Sequence, residues 1–440
     1  ILMKIPLLDW ETQPAAIVGF EVEQMILERL AGPHVPRFIA NGDFAVQPYI
    51  AMEDIQGELL ANKLDALPLA AEEVARVGTK LAEALYEVHR QHVIHLDVKP
   101  GNVILRHSGE AALIDFGLSR HEELPDLLEE EFNLPMGTAQ YMAPEQALRI
   151  RSDSRSDIFA TGVVLYQLAT GVLPFGEPKN AKGVRRRLWR DPTPPRAHVG
   201  SIPDWLQEIV LRCLEPLPQN RYDSAAQLLF DLRRAAEIAL TERAHRLKRS
   251  GFAAVLRRRL GAGKIRSAIA HSLSRQLARA PIVVVAVDLR PGLEDLREAL
   301  RTAARLALES APGARLACVN VTVTSLVKID PQADEQGRNI HVQKLVELKH
   351  WAHPMGLPAE RLTYHVLQSI DAVAALIDYA RTNRADNIIL GAPTYSGRYL
   401  GKVTSQIVAE APCSVTVVRA NAEIGYWPAP RSGNGTDTRR

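Results

Sequence analysis

Three oxygen-bearing side chains, Asp97, Asn102 and Asp115, fall close together in the chain between short apolar runs. The first two lie in His95-Leu96-Asp97-Val98-Lys99-Pro100-Gly101-Asn102, and the third opens Asp115-Phe116-Gly117. The flanks Val93-Ile94, Val103-Ile104-Leu105 and Ala111 to Ile114 read as short buried strands. The polar groups therefore sit on a loop and at a strand end, where a rigid frame can present them. These residue types suit transfer of a phosphoryl group from a nucleoside triphosphate to a hydroxyl. That reaction needs mainly positioning and charge neutralisation, because its transition state spreads charge over the phosphoryl oxygens. Asp97 is the carboxylate expected to accept or orient the hydroxyl proton. Asn102 and Asp115 offer hard oxygen ligands of the kind magnesium takes, and Lys99 can neutralise the transferring phosphate.

The run resembles the catalytic loop of bacterial eukaryotic-like (Hanks-type) serine/threonine kinases, H-R-D-x-K-x-x-N with a following D-F-G. Leu96 departs from it, standing where the family usually has Arg. Further matches follow in order. Gly137-Thr138-Ala139-Gln140-Tyr141-Met142-Ala143-Pro144-Glu145 resembles the end of an activation segment, and Ser156-Asp157 to Tyr166 the buried helix beneath the catalytic loop. The resemblance implies that Asp157 accepts hydrogen bonds from the loop backbone and that Arg221 pairs with Glu145. It also implies a hydroxyl at Thr138 meeting Asp97 across the substrate site, and Ser/Thr rather than Tyr substrates.

Upstream, Ile1-Leu2-Met3-Lys4-Ile5 reads as a strand, with Lys4 at the place of the family's ATP-contacting lysine. Phe20-Glu21-Val22-Glu23 is expected to open a helix whose Met25, Ile26 and Leu30 share a face. Glu23 is the favoured partner of Lys4, and Glu21 the alternative. Ile50 to Gly57 resembles the strand and hinge behind the adenine, which places Met52, Glu53 and Ile55 at the nucleotide, Met52 as gatekeeper. No G-x-G-x-x-G precedes Lys4, and the sequence opens with Ile inside a strand. A truncated N-terminus is the simplest account, since a kinase fold without its phosphate-covering loop would leave a sheet edge bare.

From Leu118 to Met136 the sole hydroxyl amino acid is Ser119, while Glu122, Glu123, Asp126, Glu129, Glu130 and Glu131 crowd the middle. With Leu96 unable to bind a phosphate on this segment, the expectation is a kinase that needs no activation-loop phosphorylation. At 440 residues, two or three domains are expected, and 46 % hydrophobic residues suffice for packed cores. No apolar run reaches membrane-spanning length and no secretory leader is visible, so the expected location is cytoplasmic. Cys213, Cys318 and Cys413 are isolated and lack C-x-x-C spacing, which argues against a disulfide framework or a zinc site.

Residues 243–279 hold eleven Lys or Arg and no Asp or Glu. This stretch reads as a basic helical linker, suited to an anionic surface or to the acidic segment of the kinase. Beyond it, near-continuous apolar strands such as Ile282 to Val287 and Asn387 to Leu390 alternate with helical periods. That pattern implies a doubly wound parallel sheet. Residues 281–420 resemble a universal stress protein domain, carried by Val287-Asp288, Ala385-Asp386-Asn387-Ile388-Ile389-Leu390-Gly391 and Ala411-Pro412-Cys413-Ser414-Val415. ATP-binding members carry Gly, two residues, Gly, nine residues, then Gly-Ser/Thr. Here Gly391 and Ser405 keep the ends, whereas Thr394 and Thr404 replace the inner glycines. Gly397 and Gly401 could partly restore the phosphate cradle, and Asp288 could contact adenosine, as the resemblance implies.

The expectation is thus an α+β bilobal kinase fold with an incomplete N-lobe, followed by an α/β stress protein domain. The boundaries read as kinase 1–237 (N-lobe 1–52, C-lobe 53–237), linker 238–280, stress protein domain 281–420 and flexible tail 421–440. The expected activity is ATP- and magnesium-dependent phosphorylation of protein Ser or Thr. The C-terminal domain is expected to sense a signal or to form a homodimer. The competing reading is a weakly catalytic nucleotide-binding scaffold acting through that domain.

Overall fold

The computed structural model of the chain describes residues 1–7, 13–132, 134–178, 180–251, 253, 255–260, 280–324, 339–392 and 401–420. The chain divides into two compact units, residues 1–279 with 331–343, and residues 280–330 with 344–440.

The apolar start of the chain pairs as an antiparallel sheet of order β1-β3-β2, from β1 (Leu2–Lys4), β2 (Phe38–Gly42) and β3 (Tyr49–Met52). Lys4 lies opposite Ile50 in this register. Helix α1 (Pro14–Leu27) starts six residues before the expected Phe20, with Pro14 in the first turn, where its missing N–H goes unused. Ile17, Val18, Phe20, Val22 and Ile26 are all buried. With apolar residues on nearly every face, the periodicity ahead of Phe20 was masked and packing decided the helix start.

Below this sheet, β4 (Gly57–Leu59) joins β6 (Val103–Arg106) and β7 (Ala111–Leu113) in the order β4-β6-β7, while β5 (Val93–Ile94) pairs with β8 (Arg120–His121). The β6–β7 hairpin runs from Asn102 to Asp115, so it fixes the two expected metal ligands at its ends. The helices are α2 (Ala71–Arg90), α3 (Leu127–Glu131), α4 (Arg155–Thr170), α5 (Ala181–Arg185), α6 (Asp204–Cys213), α7 (Ala225–Arg233) and α8 (Glu242–His245). On α2, Val74, Val77, Leu81, Leu85 and Val88 recur every three or four residues and are buried. Gly78 lets α2 and α4 approach, since a Cβ there would lie 2.9 Å from Leu165 Cδ2. Helix α4 is buried along almost its whole length. The described part of the basic linker turns onto acids of its own unit: Arg243 reaches Glu208 at 2.9 Å and Glu215 at 3.1 Å, and Arg258 reaches Asp191 at 2.5 Å. Among the described residues, the acids it meets are thus Glu208 of α6, Glu215 and Asp191.

Along the second half of the chain, β9 (Ile282–Ala286), α9 (Glu294–Ser310), β10 (Arg315–Val323), α10 (Ile340–Ala352), β11 (Leu362–Ser369), α11 (Ala372–Thr382), β12 (Asn387–Gly391), α12 (Lys402–Glu410) and β13 (Ser414–Val418) alternate, all within the second unit except the first turn of α10. The five strands are all parallel in the order β11-β10-β9-β12-β13. The chain order reverses on the two sides of β9, which opens a crevice at the strand ends. Val284, Val319, Ile388 and Leu390 pack with Val373, Leu376 and Ile377 of α11 in one core. No helix among the described residues is long and apolar enough to cross a membrane.

Candidate active site

Asp157, in the first turn of α4, anchors the loop that follows β5. Its buried carboxylate accepts the N–H groups of His95 and Leu96, each at 2.8 Å, and His89 Nε2 lies 2.9 Å away. Leu96 has φ of +63°, a left-handed conformation that costs a residue with a Cβ roughly 1–2 kcal/mol. Its carbonyl accepts Gln146 Nε2 at 2.7 Å, so the turn is held from both sides. Leu96 itself is buried, which gives the side chain at the usual Arg position an apolar packing role.

The turn delivers Asp97 into a polar cluster. Asp97 Oδ1 accepts the Thr138 N–H at 2.8 Å and the Thr138 hydroxyl at 2.7 Å; Oδ2 accepts Lys99 Nζ at 2.6 Å and Asn102 Nδ2 at 3.1 Å. Lys99 Nζ also donates to Thr138 Oγ1 at 3.0 Å. A carboxylate, an ammonium and a hydroxyl from three separate positions thus meet around a single point. Asn102 spends its amide N–H groups on Asp97, which leaves its Oδ1 as the ligand-type atom.

At the end of β7, Asp115 also takes a left-handed backbone, φ +65°. Lys4 Nζ bridges Glu23 Oε2 at 2.5 Å and Asp115 Oδ1 at 3.1 Å. Burial works against the charge on Lys4, but the two carboxylates outweigh it and hold its pKa above the usual lysine value. Burial alone would push the Asp115 carboxyl up; Lys4 reverses this and holds it below the usual range. Glu21 is also buried on α1, but the ion pair forms with Glu23. The approach of α1 to Asp115-Phe116-Gly117 is at backbone contact: a Cβ on Gly19 would sit 3.1 Å from the Gly117 carbonyl oxygen.

Met52, at the end of β3, is buried. The Glu53 carboxylate is taken by Arg106, at 2.5 and 3.0 Å, which holds it below its usual pKa. The side chain of Glu53 is therefore already engaged. Its N–H donates to the Arg37 carbonyl at 2.9 Å. Glu145 and Arg221 form a fully buried bidentate pair at 2.6 and 2.9 Å, joined by the Ser156 hydroxyl at 2.7 Å and covered by the Phe159 ring.

The sequence assigns no role to two supporting residues, Gln146 within the activation-segment motif and Arg187 outside it. Gln146, which fixes Leu96, directly follows Ala143-Pro144-Glu145, so its position was a usable signal. Arg187 is buried with no acidic partner among the described residues and donates to the carbonyls of Ala139 at 2.7 Å and Gln140 at 2.9 Å, bracing the chain after Thr138. Burial pushes its pKa down to about 10. Nothing in its basic surroundings, Arg185-Arg186-Arg187, singles it out. No group of three His, Cys, Asp or Glu side chains is placed to share a metal among the described residues. The free Oδ1 of Asn102 and the Asp115 carboxylate are hard oxygens of the kind magnesium takes.

In the second unit a cavity of about 720 Å³ opens at the ends of β9, β10 and β12. Leu296, Leu300, Val319, Leu376 and Ile407 line it together with Asp288, Gly391, Gly401 and Thr404. Both Asp288 oxygens are engaged by Arg290, at 2.5 to 3.0 Å. The Thr404 hydroxyl donates to the Gly391 carbonyl at 3.3 Å. Ser405 follows in the first turn of α12, its N–H bonded to the Gly401 carbonyl. Thr394 and Gly397 lie outside the described residues. Among the described residues, Asp288 and Thr404 are therefore tied to neighbours, and the described lining is largely aliphatic.

Residues 13–231 match the protein kinase domain family and residues 281–419 the universal stress protein family. A serine/threonine-protein kinase of Myxococcus xanthus is 34 % identical over 319 residues, 64 % of this chain and 45 % of the relative. A probable serine/threonine-protein kinase of Clostridium perfringens is 29 % identical over 233 residues, 53 % of this chain and 34 % of its own length. PknB of Mycobacterium tuberculosis, also a serine/threonine-protein kinase, is 29 % identical over 237 residues, 53 % and 38 % of the two chains. The chain spans between a third and a half of the length of these relatives. Order of motifs, fold and family matches agree: the chain joins a domain of the protein kinase family to a domain of the universal stress protein family.

Proposed function

We propose that the first unit transfers the γ-phosphate of ATP to Ser or Thr of protein substrates. The observation that carries this reading is the meeting of Asp97, Lys99 and Thr138, next to a formed Lys4–Glu23–Asp115 bridge. Asp97 orients the substrate hydroxyl and accepts its proton as the new P–O bond forms. The bond between the β- and γ-phosphates breaks and ADP leaves. Lys99 neutralises charge on the moving group, a contribution that grows where water is excluded. Lys4, oriented by Glu23, contacts the non-transferred phosphates. Met52 and the backbone of Glu53 and Ile55 border the adenine. Magnesium, held by Asn102 Oδ1 and the Asp115 carboxylate, would neutralise the phosphate oxygens. Thr138, beside Asp97 and Lys99, supports Ser and Thr as acceptors.

For the second unit we propose sensing or dimerisation, with the crevice at β9 and β12 as a ligand site. Asp288 is paired with Arg290 there, an exposed contact that a ligand can displace at little cost. A protein that consumes ATP in this way belongs in the cytoplasm.

The test is incubation of the full chain with radiolabelled ATP, magnesium and a generic protein substrate, followed by phosphoamino acid analysis. Phosphoserine or phosphothreonine, lost on chelation and in Asp97→Asn, is the expected result. ATP binding with no transfer to any acceptor would favour the scaffold reading instead.

A further inference from the structure

Leu96 brings no charge to the segment that follows Gly117, and the structure holds one elsewhere. At the start of α3 the Asp126 side chain is only 7 % exposed. Its Oδ1 caps the helix by accepting the Glu129 N–H at 3.1 Å. Its Oδ2 accepts Arg151 Nε at 2.7 Å, and Arg120 Nε lies 3.8 Å away. Arg151, itself 8 % exposed, also donates to the carbonyls of Leu118 at 3.0 Å and Ser119 at 3.4 Å. One guanidinium thus ties the segment just after Asp115-Phe116-Gly117 to its middle, from a base just beyond Glu145. The Ser119 hydroxyl in turn donates to the His95 carbonyl at 3.0 Å, beside the catalytic turn. Helix α3 also packs against α1, which carries Glu23.

We propose that Asp126 is a built-in fixed anion that, through Arg151 and Arg120, holds residues 118–131 in the shape that Asp97 and Glu23 require. The inference rests on the kinase reading above and names the residue that makes phosphorylation of the segment unnecessary. A carboxylate inside the chain supplies permanently the charge that a phosphate would supply on demand. Asp126 divides its two oxygens between a helix cap and a buried guanidinium. Asp126, Arg151 and Arg120 are positioning residues; none touches the reacting atoms.

Asp126→Asn separates the two roles, because Asn keeps a capping oxygen and loses the charge. In the full chain it should lower kcat for a protein substrate about tenfold or more, while the dissociation constant for ATP stays within about twofold. Hydrogen exchange in peptides covering residues 118–131 should speed up in the variant, a readout that needs no turnover. Arg151→Lys keeps the charge and the folded state but loses the fork to Leu118 and Ser119, and should give an intermediate loss of kcat. Wild-type kcat in both variants would overturn the proposal. If the wild-type chain transfers no phosphate, the kinase reading falls, and exchange alone decides: unchanged protection of 118–131 in Asp126→Asn overturns the fixed-anion role.

Discussion

The catalytic loop and the crevice of the second unit both present carboxylates at strand ends, yet they find partners differently. Asp97 is bonded to Lys99, two residues on, but also to Thr138, 41 residues away, and the loop around it hangs on Asp157, more than 60 residues away. Asp288 is satisfied by Arg290, two residues along the same turn. A carboxylate whose partners come from distant elements is held by the whole fold and cannot relax without it. A carboxylate paired within its own turn keeps that partner in any local conformation, and the pair is worth little when solvent reaches it. The lesson is that assembly from afar marks the first site as preorganised, whereas the described lining of the second is largely aliphatic, with Asp288 paired inside its own turn.

The largest expected effect is at Asp97. Asp97→Asn should lower kcat about 100- to 10,000-fold and leave ATP affinity nearly unchanged, as read by single-turnover and equilibrium binding. Near wild-type turnover would remove the contrast altogether. Arg221→Ala strands the buried Glu145 carboxylate and should cost about 3–5 kcal/mol in urea unfolding. A loss under about 1 kcal/mol would mean that this pair, too, behaves like a surface contact. Asp115→Ala should weaken magnesium-dependent ATP binding about tenfold, measured by calorimetry with and without the metal. At the small end, Asp288→Asn should change the melting stability of the chain by no more than about 0.5 kcal/mol. A larger change would place Asp288 in a network that the Arg290 pair does not describe.

Much of the fold could be read before any coordinates, for reasons that differ by region. The strands of the second unit are continuous apolar runs bounded by turns, so their alternation with helices declared the parallel sheet. The catalytic loop was legible because its chemistry depends on fixed spacing along the chain. The start of α1 was not, because Ile17, Val18 and Phe20 are buried on several faces and blur the helical period. Asp126 was seen only as one acid among six, since its distinction lies in Arg151, 25 residues on. The basic linker was read for its charge alone. Which acids it meets, Glu208, Glu215 and Asp191, depends on packing that charge counts do not encode.

The bare backbone contact between Gly19 and Gly117 carries a consequence for how this molecule varies. Two glycines act as a mechanical stop: they set how near the helix bearing Glu23 comes to the strand end bearing Asp115. Because Lys4 must span both carboxylates, at 2.5 and 3.1 Å, its reach is calibrated to that stop. A methyl group at position 19 would meet the Gly117 oxygen at 3.1 Å and require a shift of a few tenths of an ångström. A branched side chain would ask for more. Position 19 therefore works as a graded spacer, on which side-chain volume sets the geometry of the lysine bridge without altering any charged group.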